Sequence, residues 1–162
     1  METKSTLNKD TVNKLQELIR VNIDSRDGYL EAVEHIDNGA IATAFAELAT
    51  RRNDQASELS GLVSLNLQEP VDYGSVAAAV HRAWIDLRGA IGQGTQAMLE
   101  EAERGEDYIK GKYEETLKEV AGSAVTDVLN RQYREIKATH DSVRELRDSF
   151  AEKNANEKSH SS

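Results

Sequence analysis

The chain contains no cysteine among its 162 residues. This absence excludes disulfide bridges, thiolate-ligated zinc and cysteine nucleophiles. A single proline leaves few places where a helix must break, and only two phenylalanines and one tryptophan are present. Good helix formers such as Ala, Leu, Glu, Lys and Arg are abundant instead. Composition and length therefore predict one all-α domain.

Basic runs and long apolar runs are also missing. The 29 acidic residues outnumber the 20 basic ones, and the net charge of −9 disfavours binding to phosphate backbones. No basic run is interleaved with aromatic residues, as nucleic-acid binding would favour. No stretch approaches the roughly 18 apolar residues of a membrane span, and the opening METKSTLNKD lacks the apolar core of a signal peptide. We therefore expect a soluble cytoplasmic protein with neither nucleic acid nor membrane as a partner.

Apolar residues recur every three or four positions in four long segments, which predicts helices at about 8–37, 40–66, 95–120 and 124–152. Pro70 interrupts the pattern after the second segment, and a shorter amphipathic helix is predicted at about 75–91. The last residues are polar and low in complexity. We expect a single domain over 1–152 and a polar, flexible tail over 153–162.

The lengths of the connections predict how these helices are arranged. Short links join the first helix to the second and the third to the fourth, so each pair should form an antiparallel hairpin. The Pro70 loop and the short helix that carries Trp84 separate the hairpins, and this connection is long enough to run the length of a bundle. Two hairpins joined by one long crossover have the connectivity of a ferritin-like four-helix bundle. A plain four-helix bundle with a lid is the alternative.

Polar residues fall on the inward-facing stripes near the middle of the helices, namely Asn22, Arg52, Gln55, Glu106, Lys137 and His140. Tyr29 and Tyr113 each follow one of these positions by seven residues. Dimetal proteins of this architecture place one Glu on each of two helices and a Glu-x-x-His pair on each of the others. The i, i+3 spacing puts both members of a pair on one helical face. The layout is that of a dimetal site.

The chain resembles rubrerythrin-type members of the ferritin-like superfamily, which carry Glu-x6-Tyr on the first and third helices. Glu106 and Tyr113 complete this motif on the third helix, whereas the first helix keeps Tyr29 but has Asn22 in place of Glu. The family's Glu-x-x-His pairs fall on Arg52 with Gln55 and on Lys137 with His140. A slip of one turn in the second helix would bring Glu47 or Glu58 to this position instead.

Charge decides how the altered positions are interpreted. Four carboxylates neutralise two divalent metals, but here Glu106 faces Arg52 and Lys137. Two metals would add several uncompensated buried charges, each costing several kcal/mol. We therefore interpret the two cations as substitutes for the metals, and expect no metal cofactor and no catalytic residue. Two alternatives stay open: the cations reach solvent from the bundle edge, or Glu106 and His140 hold a divalent metal in an oxidoreductase or iron-binding protein.

Longer stretches carry a second resemblance. LIRVNIDSRDGYLEAVEH, GSVAAAVHRAWIDL, LEEAERGEDYIKGKYEETL and the THD of the fourth helix look like an uncharacterised bacterial family of ferritin-like bundles of unknown function. The resemblance covers about residues 7–150 and implies a helical bundle, cytoplasmic residence and a link to stress physiology, but no substrate. We expect a non-catalytic bundle that acts as a homodimer or through protein partners. Trp84 either covers the bundle or forms the dimer interface.

Overall fold

The computed structural model describes residues 2–74, 87 and 89–160, and within them the regular elements are four α-helices with no strand. The helices are α1 (Lys9–Val33), α2 (Gly39–Leu65), α3 (Thr95–Glu119) and α4 (Thr126–His160). The all-helical prediction and the four long helices are thus confirmed. The predicted helix over 75–91 falls almost entirely outside the described residues, and Trp84 lies outside them as well.

Asparagine side chains begin the first two helices. The side chain of Asn8 accepts a hydrogen bond from the backbone N–H of Thr11, and that of Asn38 accepts one from Ile41. Each bond satisfies a backbone donor that has no partner within the helix. Gly122 lies in the α3–α4 turn with a φ of 84°, a left-handed conformation that glycine adopts without steric cost. Local side-chain chemistry therefore sets where the hairpins turn.

Two apolar clusters show how the helices are oriented. One cluster joins the first half of α1 to the second halves of α2 and α3 and to the first half of α4. The other joins the end of α1 to the first halves of α2 and α3 and to Val143 of α4. The helices α2 and α3 therefore run parallel to each other and antiparallel to α1 and α4. The end of α2 and the start of α3 therefore lie at opposite ends of the bundle.

The fourth helix is longer than predicted. It continues to His160, eight residues past the expected end at 152, so the segment expected as a tail is helical in the described structure. The sequence AEKNANEKSH contains neither proline nor glycine, and extending an existing helix costs far less than starting one. Of the helices in the described part of the chain, none has the length and hydropathy needed to cross a membrane.

Candidate functional site

A fully buried ion pair joins α2 to α3 at the centre of the bundle. Arg52 and Glu106 both have 0% of their side chain exposed. The guanidinium Nη2 of Arg52 donates to Glu106 Oε1 at 2.8 Å and to Oε2 at 2.7 Å, and its Nη1 donates to Gln55 Oε1 at 2.9 Å. Because both charges have left water, each depends on the other for compensation.

The other two helices complete the surroundings of this carboxylate. The phenol of Tyr29, from α1, donates to Glu106 Oε1 at 2.5 Å, and its ring packs edge-on against Phe45. The hydroxyl of Thr139, from α4, accepts from Arg52 Nη2 at 2.7 Å and lies 3.1 Å from Glu106 Oε2. All four helices thus meet at one carboxylate.

Burial and charge set the protonation states of the groups around it. Burial raises the pKa of Tyr29 well above its ordinary value, and the neighbouring Glu106 charge raises it further. Burial by itself lowers the pKa of Arg52, but the charge of Glu106 and smaller effects of other neighbouring groups together leave that pKa raised. The tyrosine therefore stays a neutral donor and the arginine stays a cation.

A second tyrosine makes the matching contact with the other hairpin. The hydroxyl of Tyr113, from α3, accepts from Asn22 Nδ2 of α1 at 2.9 Å and donates to Gln132 Oε1 of α4 at 2.7 Å. Tyr29 reaches across to Glu106 in the same way. Each tyrosine thus bonds to the polar residue that lies seven positions before the other tyrosine, so the contacts between the two hairpins are reciprocal.

Amide side chains continue these contacts toward the surface between α2 and α4. Gln55 Nε2 donates to Glu135 Oε2 at 3.1 Å, and Gln132 Nε2 donates to Glu58 Oε1 at 2.7 Å. Arg131 forms an ion pair with Glu58 at the surface. We use the name core polar layer for the buried residues of this network, namely Asn22, Tyr29, Arg52, Gln55, Glu106, Tyr113, Gln132 and Thr139.

The prediction that Lys137 belongs to this layer is wrong. Lys137 is exposed, and its ammonium lies 5.7 Å from the centre of the Tyr133 ring on the helix surface. The residues of α4 that face inward instead follow three- and four-residue steps through Leu129, Gln132, Ile136, Thr139 and Val143. Sequence reasoning missed Thr139 and Gln132, and these alternating steps are the signal that would have found them.

His140 is buried, but it faces a different neighbour from the one expected. Its Nε2 lies 2.5 Å from Asp107 Oδ1 on α3, and its Nδ1 lies 3.2 Å from Asp141 Oδ1. The Asp141 carboxyl has a lowered pKa, with the hydrogen bond to His140 as the main cause. The histidine therefore belongs to a pair at the edge of α3 and α4, and Glu106 is bonded to Arg52 instead.

The donors around Glu106 do not suit a dimetal cofactor. No group of three or more His, Asp or Glu residues that could hold a metal ion occurs in the described part of the chain. Both Glu106 oxygens already accept hydrogen bonds from Arg52, and Oε1 accepts a further one from Tyr29. A divalent cation here would lie against a guanidinium that carries the same sign of charge.

Three buried polar atoms in or beside the core polar layer have no hydrogen-bond partner among the described residues. They are Asn22 Oδ1 and Ser25 Oγ, three residues apart on α1, and Arg52 Nε. Buried polar groups of this kind are commonly satisfied by ordered water. They are neutral atoms or part of an already paired cation, so they add no charge that a metal would have to balance.

The buried tyrosines give the fold a specific sensitivity to alkali. Burial raises the pKa of both Tyr29 and Tyr113 in the folded chain above the value of about 10 expected when unfolded. Above about pH 10 the unfolded chain therefore loses protons that the folded chain retains. The stabilisation is complete below that pH and declines as pH rises toward the folded-state pKa values. We expect the free energy of unfolding to fall accordingly.

The contribution of these two tyrosines is measured by comparing chemical denaturation between pH 9 and pH 11 or so, a window set by the unfolded-state value. Combining Tyr29→Phe with Tyr113→Phe should make the decline shallower. Tyr73 is 52% exposed, so Tyr73→Phe is the matched control and should leave the slope unchanged. Equal slopes for all three proteins would contradict the assignment of this pH dependence to the core tyrosines.

Fold and site together define an all-helical bundle whose core contains a hydrogen-bonded polar layer, and the one ion pair in that layer has no net charge. The chain belongs to the family described as a domain of unknown function, DUF2383, whose family model matches residues 10–119. The match spans α1 to α3 and so includes Asn22, Arg52 and Glu106, whereas α4 lies beyond it. No curated protein matches the chain.

Proposed function

We propose that this protein is a non-catalytic ferritin-like bundle in which the Arg52–Glu106 ion pair takes the place of a dimetal centre. The order of hairpin, long connection and hairpin supports this kinship, with α2 and α3 parallel. The reciprocal contacts of Tyr29 with Glu106 and of Tyr113 with Asn22 support it further.

The pairs on the second and fourth helices fit the same proposal after one correction. Arg52 and Gln55 occupy the second-helix positions, three residues apart. On α4 the equivalent spacing is met by Gln132 and Glu135, which contact the backbone and the side chain of Gln55. These two residues replace Lys137 and His140 as the fourth-helix counterparts. One buried carboxylate, Glu106, is then all that is left of the ligand set.

The contact of Arg52 Nη2 with both oxygens of Glu106 is the observation that carries the proposal. This pair, with 0% exposure on both sides, carries no net charge, so the buried Glu106 carboxylate needs no metal to compensate it. Such a layer positions helices but offers no open coordination position or free nucleophile. The protein then acts through its surface, by self-association or by binding other proteins.

Thermal unfolding with and without added metal tests this proposal. A ligand that binds only the folded state stabilises it by about 2.7 kcal/mol at one hundred times its Kd. We expect Fe²⁺, Mn²⁺ and Zn²⁺ to leave the Tm unchanged, both in the parent and in Glu106→Gln. A rise in Tm for the parent that Glu106→Gln abolishes would instead support a metal-dependent oxidoreductase or iron-binding protein. His140→Ala would then show whether His140 is a ligand.

A further inference from the structure

The seam between α2 and α4 is the least closely packed contact between neighbouring helices in the described chain. Two surface pockets of about 450 Å³ and 380 Å³ lie along it, and they adjoin each other at Arg51, which lines both. The larger pocket is the upper part of this surface and the smaller pocket is the lower part. We call this the α2–α4 groove. It runs from Ala44 to Glu58 on α2 and from Arg131 to Ser149 on α4. The α2 side alone is about 21 Å long, close to four helical turns.

The floor of the upper part of the groove is built from small and apolar side chains. Ala44, Ala138 and Ser142 leave space at the surface, and Leu48 and Leu146 lie beside them. A helix packs closely where the opposing side chains are small, and its apolar face needs an apolar surface to cover. The dimensions and the lining therefore suit one amphipathic helix.

The rim of the groove carries unpaired negative charge. Glu47, Asp54 and Glu145 are exposed, and none of them forms an ion pair within the part of the chain that is described. Arg51 is the one rim cation without an ion-pair partner there. Arg131, by contrast, is already bound to Glu58. Three free carboxylates against one guanidinium leave the rim acidic, which complements a basic ligand.

We propose that the α2–α4 groove binds a basic amphipathic helix of a partner protein, about 14 residues long. The inference rests on the proposed function, because it identifies the surface and the class of partner through which a non-catalytic bundle acts. The apolar face of that helix covers the floor, and its Lys and Arg side chains reach Glu47, Asp54 and Glu145. A second copy fits less well, because the chain carries a net charge of −9.

The core polar layer supports this groove from below. Thr139 lines the upper part and Gln55 the lower part, and both are hydrogen-bonded to Arg52. The hydrogen bond from Arg52 to Thr139 therefore links α2 to α4 directly beneath the groove. This gives the buried layer a role in presenting a surface, in addition to stabilising the bundle.

A synthetic helix tests the proposal with the whole chain. The probe is a peptide of about 14 residues with Ala and Leu on one face and Lys on the other, and its control has Glu in place of every Lys. Isothermal titration calorimetry should show saturable one-to-one binding of the Lys peptide and none of the Glu peptide. Absence of saturable binding by the Lys peptide overturns the proposal.

Charge-reversed variants locate the binding surface. Combining Glu47→Lys with Glu145→Lys should weaken binding of the Lys peptide by about tenfold or more, equivalent to roughly 1.4 kcal/mol. Glu34→Lys with Asp37→Lys makes the same change of charge at the α1–α2 turn and should alter the affinity by less than about twofold. Equal weakening by both variants would indicate nonspecific attraction and would overturn the assignment to the groove.

A bulky side chain in the groove distinguishes binding of a partner helix from binding of a second copy of this chain. Ala138→Phe should block peptide binding while the protein stays folded, as judged by circular dichroism and Tm. If the parent is instead a dimer that Ala138→Phe dissociates, a second copy covers the groove and the partner proposal is overturned. If the peptide tests fail and added metal does not raise the Tm, the α2–α4 groove is ruled out as the binding surface, and the proposed function stands. A metal-dependent rise in Tm that Glu106→Gln abolishes contradicts the proposed function itself.

Discussion

Replacing Arg52 with methionine is expected to lower the free energy of unfolding by about 3–5 kcal/mol. The substitution keeps an apolar stem of similar length but removes the one cation that is bonded to the buried Glu106 carboxylate in the described part of the chain. It also leaves Gln55 and Thr139 without their shared donor. Urea denaturation followed by circular dichroism measures the change, provided that the m value is unaltered.

Lys137→Met is the matched control for this prediction, since it removes the same charge from a helix surface. It should change the free energy of unfolding by no more than about 0.5 kcal/mol. A large effect at Lys137 together with a small one at Arg52 would contradict the placement of the ion pair and would favour the register expected from sequence.

The second large effect concerns the other half of the pair. Glu106→Gln should destabilise the protein by a similar amount, about 3–5 kcal/mol, because Arg52 would then be a buried cation without a counter-charge. Combining Glu106→Gln with Arg52→Met should cost less than the sum of the two, with an interaction energy of about 1–3 kcal/mol. Four denaturation curves complete this double-mutant cycle.

Strict additivity of the two losses in free energy of unfolding would contradict a direct contact between the two side chains.

Tyr29→Phe is a useful companion, since it removes one donor from Glu106 but leaves the charge pair intact. It should cost about 1–3 kcal/mol, less than loss of the guanidinium. A larger loss for Tyr29→Phe than for Arg52→Met would mean that the phenol, and not the cation, is the main support of the carboxylate.

Much of the helical architecture could be predicted because the signals are local. Asn38 and Gly122 mark turns by their own backbone and capping chemistry, and the spacing of apolar residues marks the helices between them. The end of α4 was mispredicted because no residue in the last segment stops a helix. A polar composition alone does not decide between a helical and a frayed terminus.

The sequence leaves the inward register open on both α2 and α4. On α2 it favours Arg52 and Gln55 but also allows a slip of one turn to Glu47 or Glu58, and the structure buries Arg52 and Gln55 and exposes the two glutamates. On α4 two adjacent stripes are plausible from the sequence, because Tyr133 and His140 resemble core residues as much as Gln132 and Thr139 do. A register choice between neighbouring stripes depends on what the opposing helices present, which periodicity does not reveal.

The partners of the buried groups were beyond reach of the sequence for a related reason. Glu135 and Glu58 receive hydrogen bonds from Gln55 and Gln132 across the seam between two helices. Such contacts depend on the distance between helices and on side-chain rotamers, and the spacing of residues along the sequence reveals neither. The reciprocal bonding of the two tyrosines likewise required three-dimensional coordinates, although the repeated seven-residue separation was visible beforehand.

We propose that Arg52 and Glu106 occupy the position that a dimetal centre has in ferritin-like proteins. The most direct measurement is elemental analysis of the protein isolated without chelators or an affinity tag, after growth with iron, manganese and zinc supplied. We expect no stoichiometric metal in the purified protein. About two iron or manganese atoms per chain, the complement of an intact dimetal site, would contradict it and would make oxidase and peroxidase assays the next step.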